Sequence, residues 1–408
     1  MVMVTLSLIF VTLAALAGYR IATEALNATT GLLFLLAVSS GAALIVEAAL
    51  KARVRSNVVR NRVRLLIAST AIAMVTLEFV LRILGAASNY YEQNGNRNYV
   101  SIYQQQDTQS WFLVHSANSE VGWTQKEFRH ARQTNSLGLS EREIQEAQQP
   151  AEYRVIALGD SFTEGVGTAY ESTWVKVVEK ELAAHLPGRQ VTTINAGISG
   201  SDVYFEYVLL REKLLSYHPD LVIVGINHTD VVDIIIRGGM ERFQSGGTIT
   251  TQRSGPGWEW LYGISYIFRH IVRDAFGYNW LLLSGEVMRS EEQMAAAKIQ
   301  DCMDDFMRLA ADRHFKVLFV FNPLEYEVKA QQYDAAFQAV VADSQRAHGG
   351  SMIDLLEDFR ATGTITRENS SEFFWGTDLH HNTKGYQVMG NAIARRIIEL
   401  RLLDTQTY

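Results

Sequence analysis

Apolar positions come first as long unbroken runs and later as short runs at regular spacing. Residues 2–19 (VMVTLSLIFVTLAALAGY) and 25–46 (ALNATTGLLFLLAVSSGAALIV) hold no charged side chain. Both meet the length of about 20 residues that a helix needs to cross a bilayer. A third run, 65–87, is interrupted by Glu78 and Arg82. These stand at i and i+4, where opposite charges pair along a helix, and near its end, where long side chains reach an interface. The pattern predicts three membrane-spanning helices and a membrane anchor over residues 1–88.

Beyond residue 88 the pattern changes twice. Residues 89–150 are polar and rich in Gln and Asn, with isolated aromatics. They read as a lead-in that packs short strands on the main domain, ending at a turn over residues 135–138. From Tyr153, the apolar runs RVIALG, VTTINAG, LVIVGIN, VLFVFN and SMIDLL alternate with helical stretches at 172–185, 202–216 and 291–314. Such alternation specifies an α/β fold over residues 151–408, with a parallel sheet covered by helices on both faces. Residues 231–289 break the rhythm with a Gly-rich loop and then a run holding Trp258, Trp260, Tyr262, Phe276 and Trp280. That insertion reads either as an amphipathic helix pair on the core, or as a lid that stacks on sugars or rests on a membrane surface.

Charge gives these runs an orientation. KARVRSNVVRNRVR, between the second and third runs, carries Lys51, Arg53, Arg55, Arg60, Arg62 and Arg64 and no acid. It reads as a basic loop that the positive-inside rule keeps in the cytoplasm. The N-terminus is then also cytoplasmic, and everything after about residue 88 is periplasmic or extracytoplasmic, across a bacterial inner membrane. A cleaved signal peptide is the alternative for the first run, although a basic n-region is missing. Residues 1–88 hold eight Lys/Arg against three Glu in a chain of net charge −7, which leaves −12 for the remainder. An acidic exported domain is a poor partner for nucleic acid. Cys302 is the single cysteine, so no intrachain disulfide forms, and its amphipathic surroundings predict a buried thiol.

Candidate chemistry starts at RVIALGDSFTEGVG, residues 154–167, which sets Ser161 at a strand-to-helix corner. Three further clusters follow later strands: NAGISGSD (195–202), GINHTD (225–230) and WGTDLHHNTKGYQVMG (375–390). A serine hydroxyl is a poor nucleophile until a base removes its proton, and an imidazole held in one tautomer by a carboxylate is the usual base. Attack on an ester carbonyl then creates an oxyanion that needs preplaced donors.

Together and in this order the four blocks resemble the SGNH hydrolase superfamily, the GDSL esterases, over residues 153 to about 402. The resemblance implies a flavodoxin-like three-layer α/β/α domain with Ser161 as nucleophile and Asp378 as the carboxylate that orients the base. It implies oxyanion donors at the backbone N–H groups of Ser161 and Gly200 and the side-chain amide of Asn227. DLHHN pairs Asp378 with either His380 or His381; the following Asn382 and Gly385 favour His380, with His381 as alternative base. One departure is His228, where many relatives carry Asp directly after the block-three Asn; Asp230 stands two positions further on. Relatives outside the cytoplasm add or remove O-acetyl groups on surface polysaccharides. The implied function is therefore a membrane-anchored esterase acting on acylated glycans. The alternatives are an O-acyltransferase using the same residues and a non-catalytic polysaccharide-binding scaffold. No metal is implied, since no His, Cys and carboxylate cluster has ligand spacing. No cofactor is implied either; residues 165–167 lack the Lys of a phosphate loop. The expected partners are the lipid bilayer and an acylated carbohydrate, with no nucleic acid; protein partners are not specified.

Overall fold

The computed structural model describes residues 28–85, 114–243 and 253–404, with Thr12, Ala15 and Leu16. The predicted span over 2–19 and most of the lead-in before residue 114 lie outside the described residues. The chain divides into two compact units, one of Met1–Gln106 with Arg253–Met288, the other of Asp107–Gln252 with Arg289–Tyr408.

In the first unit, helix α1 (Ala28–Arg53) and helix α2 (Asn57–Ile83) are joined by residues 54–56. The second predicted span falls in α1 and the third in α2. Among the described residues, one helix, α2, is long and apolar enough to cross a membrane by length and composition. The segment read as a basic loop is largely helical. Lys51 and Arg53 close α1, and α2 starts at Asn57, so Arg60, Arg62 and Arg64 lie in its first turns. The cause is Ser56, an N-cap whose hydroxyl accepts from the Val59 N–H and starts the helix ahead of its apolar stretch. Glu78 and Arg82 pair at 2.6 Å. Residues 253–288 build a small core of their own from Tyr262, Val272 and Leu282, with Trp258, Phe268 and Tyr278 around it. The indole of Trp258 meets the Phe268 and Tyr278 rings edge-on.

The second unit is organised by a sheet. A hairpin of β1 (Glu120–Thr124) and β2 (Arg129–Gln133) precedes five parallel strands: β3 (Glu152–Gly159), β4 (Gln190–Gly197), β5 (Leu221–Ile226), β6 (Lys316–Phe321) and β7 (Met352–Asp354). Their order is β4-β3-β5-β6-β7, the doubly wound order whose direction reverses between β3 and β5. Val155, Ile156, Ala157 and Leu158 of β3 are fully buried, as a strand covered on both faces requires. β7 is shorter than SMIDLL because Asp354 caps the next helix, accepting from the Glu357 N–H at 3.1 Å. Helix His228–Arg237 runs through residue 231, where the sequence reading starts the insertion. Arg242 then pairs with Asp202 at 2.5 Å, which holds the chain to the sheet unit as far as residue 243. Cys302 is buried in helix Gly285–Arg313.

Candidate active site

Two strand-to-helix corners flank the point where the strand order reverses. After β3, Asp160 caps the one-turn helix Ser161–Glu164, its carboxylate accepting from the Phe162 N–H at 2.9 Å. Ser161 is therefore the first helical residue, set beyond the sheet's carboxyl edge. After β5, Asn227 caps helix His228–Arg237: its side-chain oxygen accepts from the Thr229 N–H at 2.8 Å, and its own N–H donates to Asp230 at 2.9 Å. That reciprocal capping box fixes the corner. Asp230 thus supplies support to Asn227 although His228 occupies the following position. His228 turns away to the Tyr326 hydroxyl, 2.6 Å from Nδ1, and burial holds its pKa down.

The imidazole that faces Ser161 comes from the loop between Trp375 and the last helix, Thr383–Glu399. His380 Nε2 lies 2.7 Å from Ser161 Oγ, and its Nδ1 lies 2.5 Å from Asp378 Oδ1. Leu379 between them takes φ +70°, a left-handed conformation that costs a non-glycine residue about 1–2 kcal/mol. The loop is tied by N–H donation from Trp375 to the His380 carbonyl (2.8 Å), and from the Trp375 indole to the Gly167 carbonyl (2.9 Å). His381 has the opposite environment. It is fully buried, lies 4.2 Å from the Phe374 ring centroid, and bonds to Asn322 at 3.1 Å. Burial pushes its pKa down to about 3, so it stays neutral in the interior. Gly385 is needed beside it, because a Cβ there would lie 2.2 Å from the Phe373 carbonyl oxygen and 2.6 Å from His381 Nδ1.

A cleft of about 310 Å³ opens over these groups, lined by Ser161, Gly200, Thr229, Arg237, Tyr326 and His380. Gly200 sits at φ +78° with open space around it, so backbone conformation accounts for the glycine. Among the described residues no acceptor occupies the backbone N–H of Ser161 or Gly200. The Asn227 amide donates to Asp160 at 2.9 Å. An amide carries two N–H donors, and this bond uses one of them. Arg237 donates to the Gly200 carbonyl at 2.7 Å and pairs with Asp233 at 3.2 Å. Burial pushes the Asp233 carboxyl up to about 7.

Two bracing residues carry no sequence motif. Arg132, buried on β2, donates to the carbonyls of Glu164, Gly165 (2.5 Å) and Thr168 (2.7 Å). Glu127, in the hairpin turn, accepts from the N–H groups of Gly376 (3.1 Å) and Thr377 (2.7 Å). One hairpin therefore holds both the loop after Ser161 and the loop before Asp378. Beneath them, buried Glu164 takes bonds from His115 (2.6 Å), Ser140 (2.9 Å) and the Ser199 N–H (2.8 Å). Burial alone would raise its pKa, but the bonds from His115 and Ser199 outweigh it and hold the carboxylate ionised.

A hydroxyl, an imidazole and a carboxylate in series beyond the carboxyl edge of a parallel sheet form the arrangement of a serine-nucleophile hydrolase. Residues 157–388 match the model of the GDSL-like lipase/acylhydrolase family. That stretch is more than half of the 408 residues, and the chain belongs to this family, whose members are hydrolases acting on esters. No curated protein matches the chain. Among solved structures it is similar to a two-domain esterase active on acetylated mannans, at 16% identity and TM-score 0.34, covering 61% of this chain and 50% of that one. It thus spans half the length of that esterase. It is also similar to the acetyl xylan esterase AlAXEase (18% identity, TM-score 0.37, 60% of this chain, 99% of that one). A lipase/acylhydrolase from Enterococcus faecalis matches at 16% identity and TM-score 0.37, over 60% of this chain and 95% of that one. Likeness at this level carries no argument about substrate.

Proposed function

We propose that the chain is a membrane-anchored serine esterase that acts outside the cytoplasm on acyl esters, chiefly O-acetyl esters of surface glycans. The observation that carries the reading is the series from Ser161 Oγ through His380 to Asp378, with contacts of 2.7 and 2.5 Å. As Oγ attacks the ester carbonyl carbon, His380 Nε2 takes the hydroxyl proton and Asp378 stabilises the imidazolium. The carbonyl oxygen becomes an oxyanion, and the donors assigned to it are the N–H groups of Ser161 and Gly200 and the second amide N–H of Asn227. Collapse breaks the ester C–O bond, and the leaving alkoxide takes the proton from His380. Water then attacks the acyl-Ser161, giving its proton to His380, which returns it to Oγ as the acid departs.

A cleft of about 310 Å³ is at the small end for ligand sites, which suits a short acyl group on one sugar ring. Exposed Tyr326 and Leu379 at its edge offer apolar faces for such a ring. The apolar helix α2 supports anchoring, and the arginines at its start support an exported catalytic unit. The purified full chain is expected to release acetate from acetylated oligosaccharides; activity confined to long-chain esters would defeat the glycan reading. A reporter fused after residue 408 is expected to be active only outside the cytoplasm, and cytoplasmic activity would overturn the orientation.

A further inference from the structure

Glu78 is 1% exposed although it stands in an apolar helix whose other faces are largely open. Its carboxylate accepts from the N–H of Tyr266 (2.9 Å), the N–H of Ile267 (3.0 Å) and the Ser265 hydroxyl (3.0 Å). The first turn of helix Tyr266–His270 is thereby capped by a side chain from α2. Arg82 pairs with the same carboxylate at 2.6 Å and donates to the Ile264 carbonyl, with its guanidinium 5.0 Å from the Tyr266 ring centroid. An ionisable side chain in a spanning helix is costly unless paired. Here the partners are supplied by residues 264–267.

Depth follows from the helix itself. From Leu65 to the C-cap Leu84 the helix is about 30 Å long at 1.5 Å per residue, the thickness of a bilayer's hydrocarbon. Glu78, six residues before Leu84, then lies about 9 Å inside the boundary away from the arginine-bearing end. Whatever bonds to Glu78 must reach that depth. The same segment leaves Ile271, Phe276 (67%) and Trp280 (49%) exposed, while Trp258, Tyr262, Phe268 and Tyr278 gather in its small core. Aromatic side chains of this kind favour the membrane–water interface.

We propose that residues 253–288 are a membrane-seated module, held to the outer end of α2 by Glu78 and resting Ile271, Phe276 and Trp280 in the lipid interface. The inference rests on the reading that α2 crosses the membrane. The occupant of the exposed face is the same bilayer, because the segment is continuous with the helix that enters it.

The test uses the full chain in phosphatidylethanolamine–phosphatidylglycerol vesicles, with Cys302→Ala as background and single spin labels at Leu66→Cys, Phe276→Cys, Trp280→Cys and Lys126→Cys. Accessibility to lipid-dissolved oxygen is compared with accessibility to a water-soluble nickel chelate. The oxygen-to-nickel ratio is expected to be severalfold higher at 66, 276 and 280 than at 126. A high ratio at 66 with water-like ratios at 276 and 280 overturns the module and leaves the span intact. A water-like ratio at 66 overturns the span reading itself. Adding Glu78→Gln is expected to lower the ratio at 276 and 280 and not at 66; unchanged values at 276 and 280 would refute Glu78 as the attachment.

Discussion

In the sheet-containing unit, buried charges such as Arg132 and Glu164 hold loops around a reaction centre, whereas in the unit of α1, α2 and residues 253–288 buried Glu78 joins one segment to one helix. Both uses follow from one rule: a buried charge persists where donors or acceptors saturate it. The consequences differ. Arg132 bonds to three backbone carbonyls near Ser161, so its loss disturbs chemistry and stability together. Glu78 bonds to residues 265–267, so its loss should release a segment and leave ester cleavage alone.

That contrast is broken most sharply at the nucleophile. Ser161→Ala is expected to lower kcat by about 10⁴-fold or more, while Glu78→Gln leaves hydrolysis of a water-soluble acetate ester unchanged in a steady-state assay. Asn227→Ala removes one donor of the proposed oxyanion site and is expected to lower kcat by about 10²–10³-fold with a smaller change in KM. Arg132→Met leaves three carbonyls without their donor and is expected to cost about 2–4 kcal/mol in urea unfolding. The most gradual effect, spread over several pH units, concerns His381, whose buried ring has its pKa lowered from 6.5 to about 3. Between these values the unfolded chain binds a proton that the folded one does not, so stability falls as pH falls, by about 1.4 kcal/mol per pH unit. Urea unfolding across that range should show the slope, and His381→Asn should flatten it.

The five parallel strands were readable because buried strands are continuous apolar runs, and order and spacing of the runs gave the α/β layering. The spacing after His380 was readable for local reasons: Asn382 caps the last helix, accepting from the Lys384 N–H at 2.9 Å, and Gly385 admits the Phe373 carbonyl. Arg132 and Glu127 were not readable, since they bind backbone groups and leave no matching side-chain pattern. The i,i+4 pairing of Glu78 with Arg82 was visible locally. Its contact with Ser265, 187 residues away, was not, because long-range partners follow from the folded topology rather than from spacing. The helical start of α2 was missed for a further reason: a run of arginines reads as a loop unless the capping role of Ser56 is weighed against it.

The central claim is that Ser161 is a nucleophile activated by His380. Labelling of the full chain by a fluorophosphonate probe tests it most directly. Wild type and His381→Asn are expected to label at Ser161, and Ser161→Ala and His380→Ala to fail while remaining folded by circular dichroism. A folded wild-type chain that never labels, or labelling that survives Ser161→Ala, would contradict it.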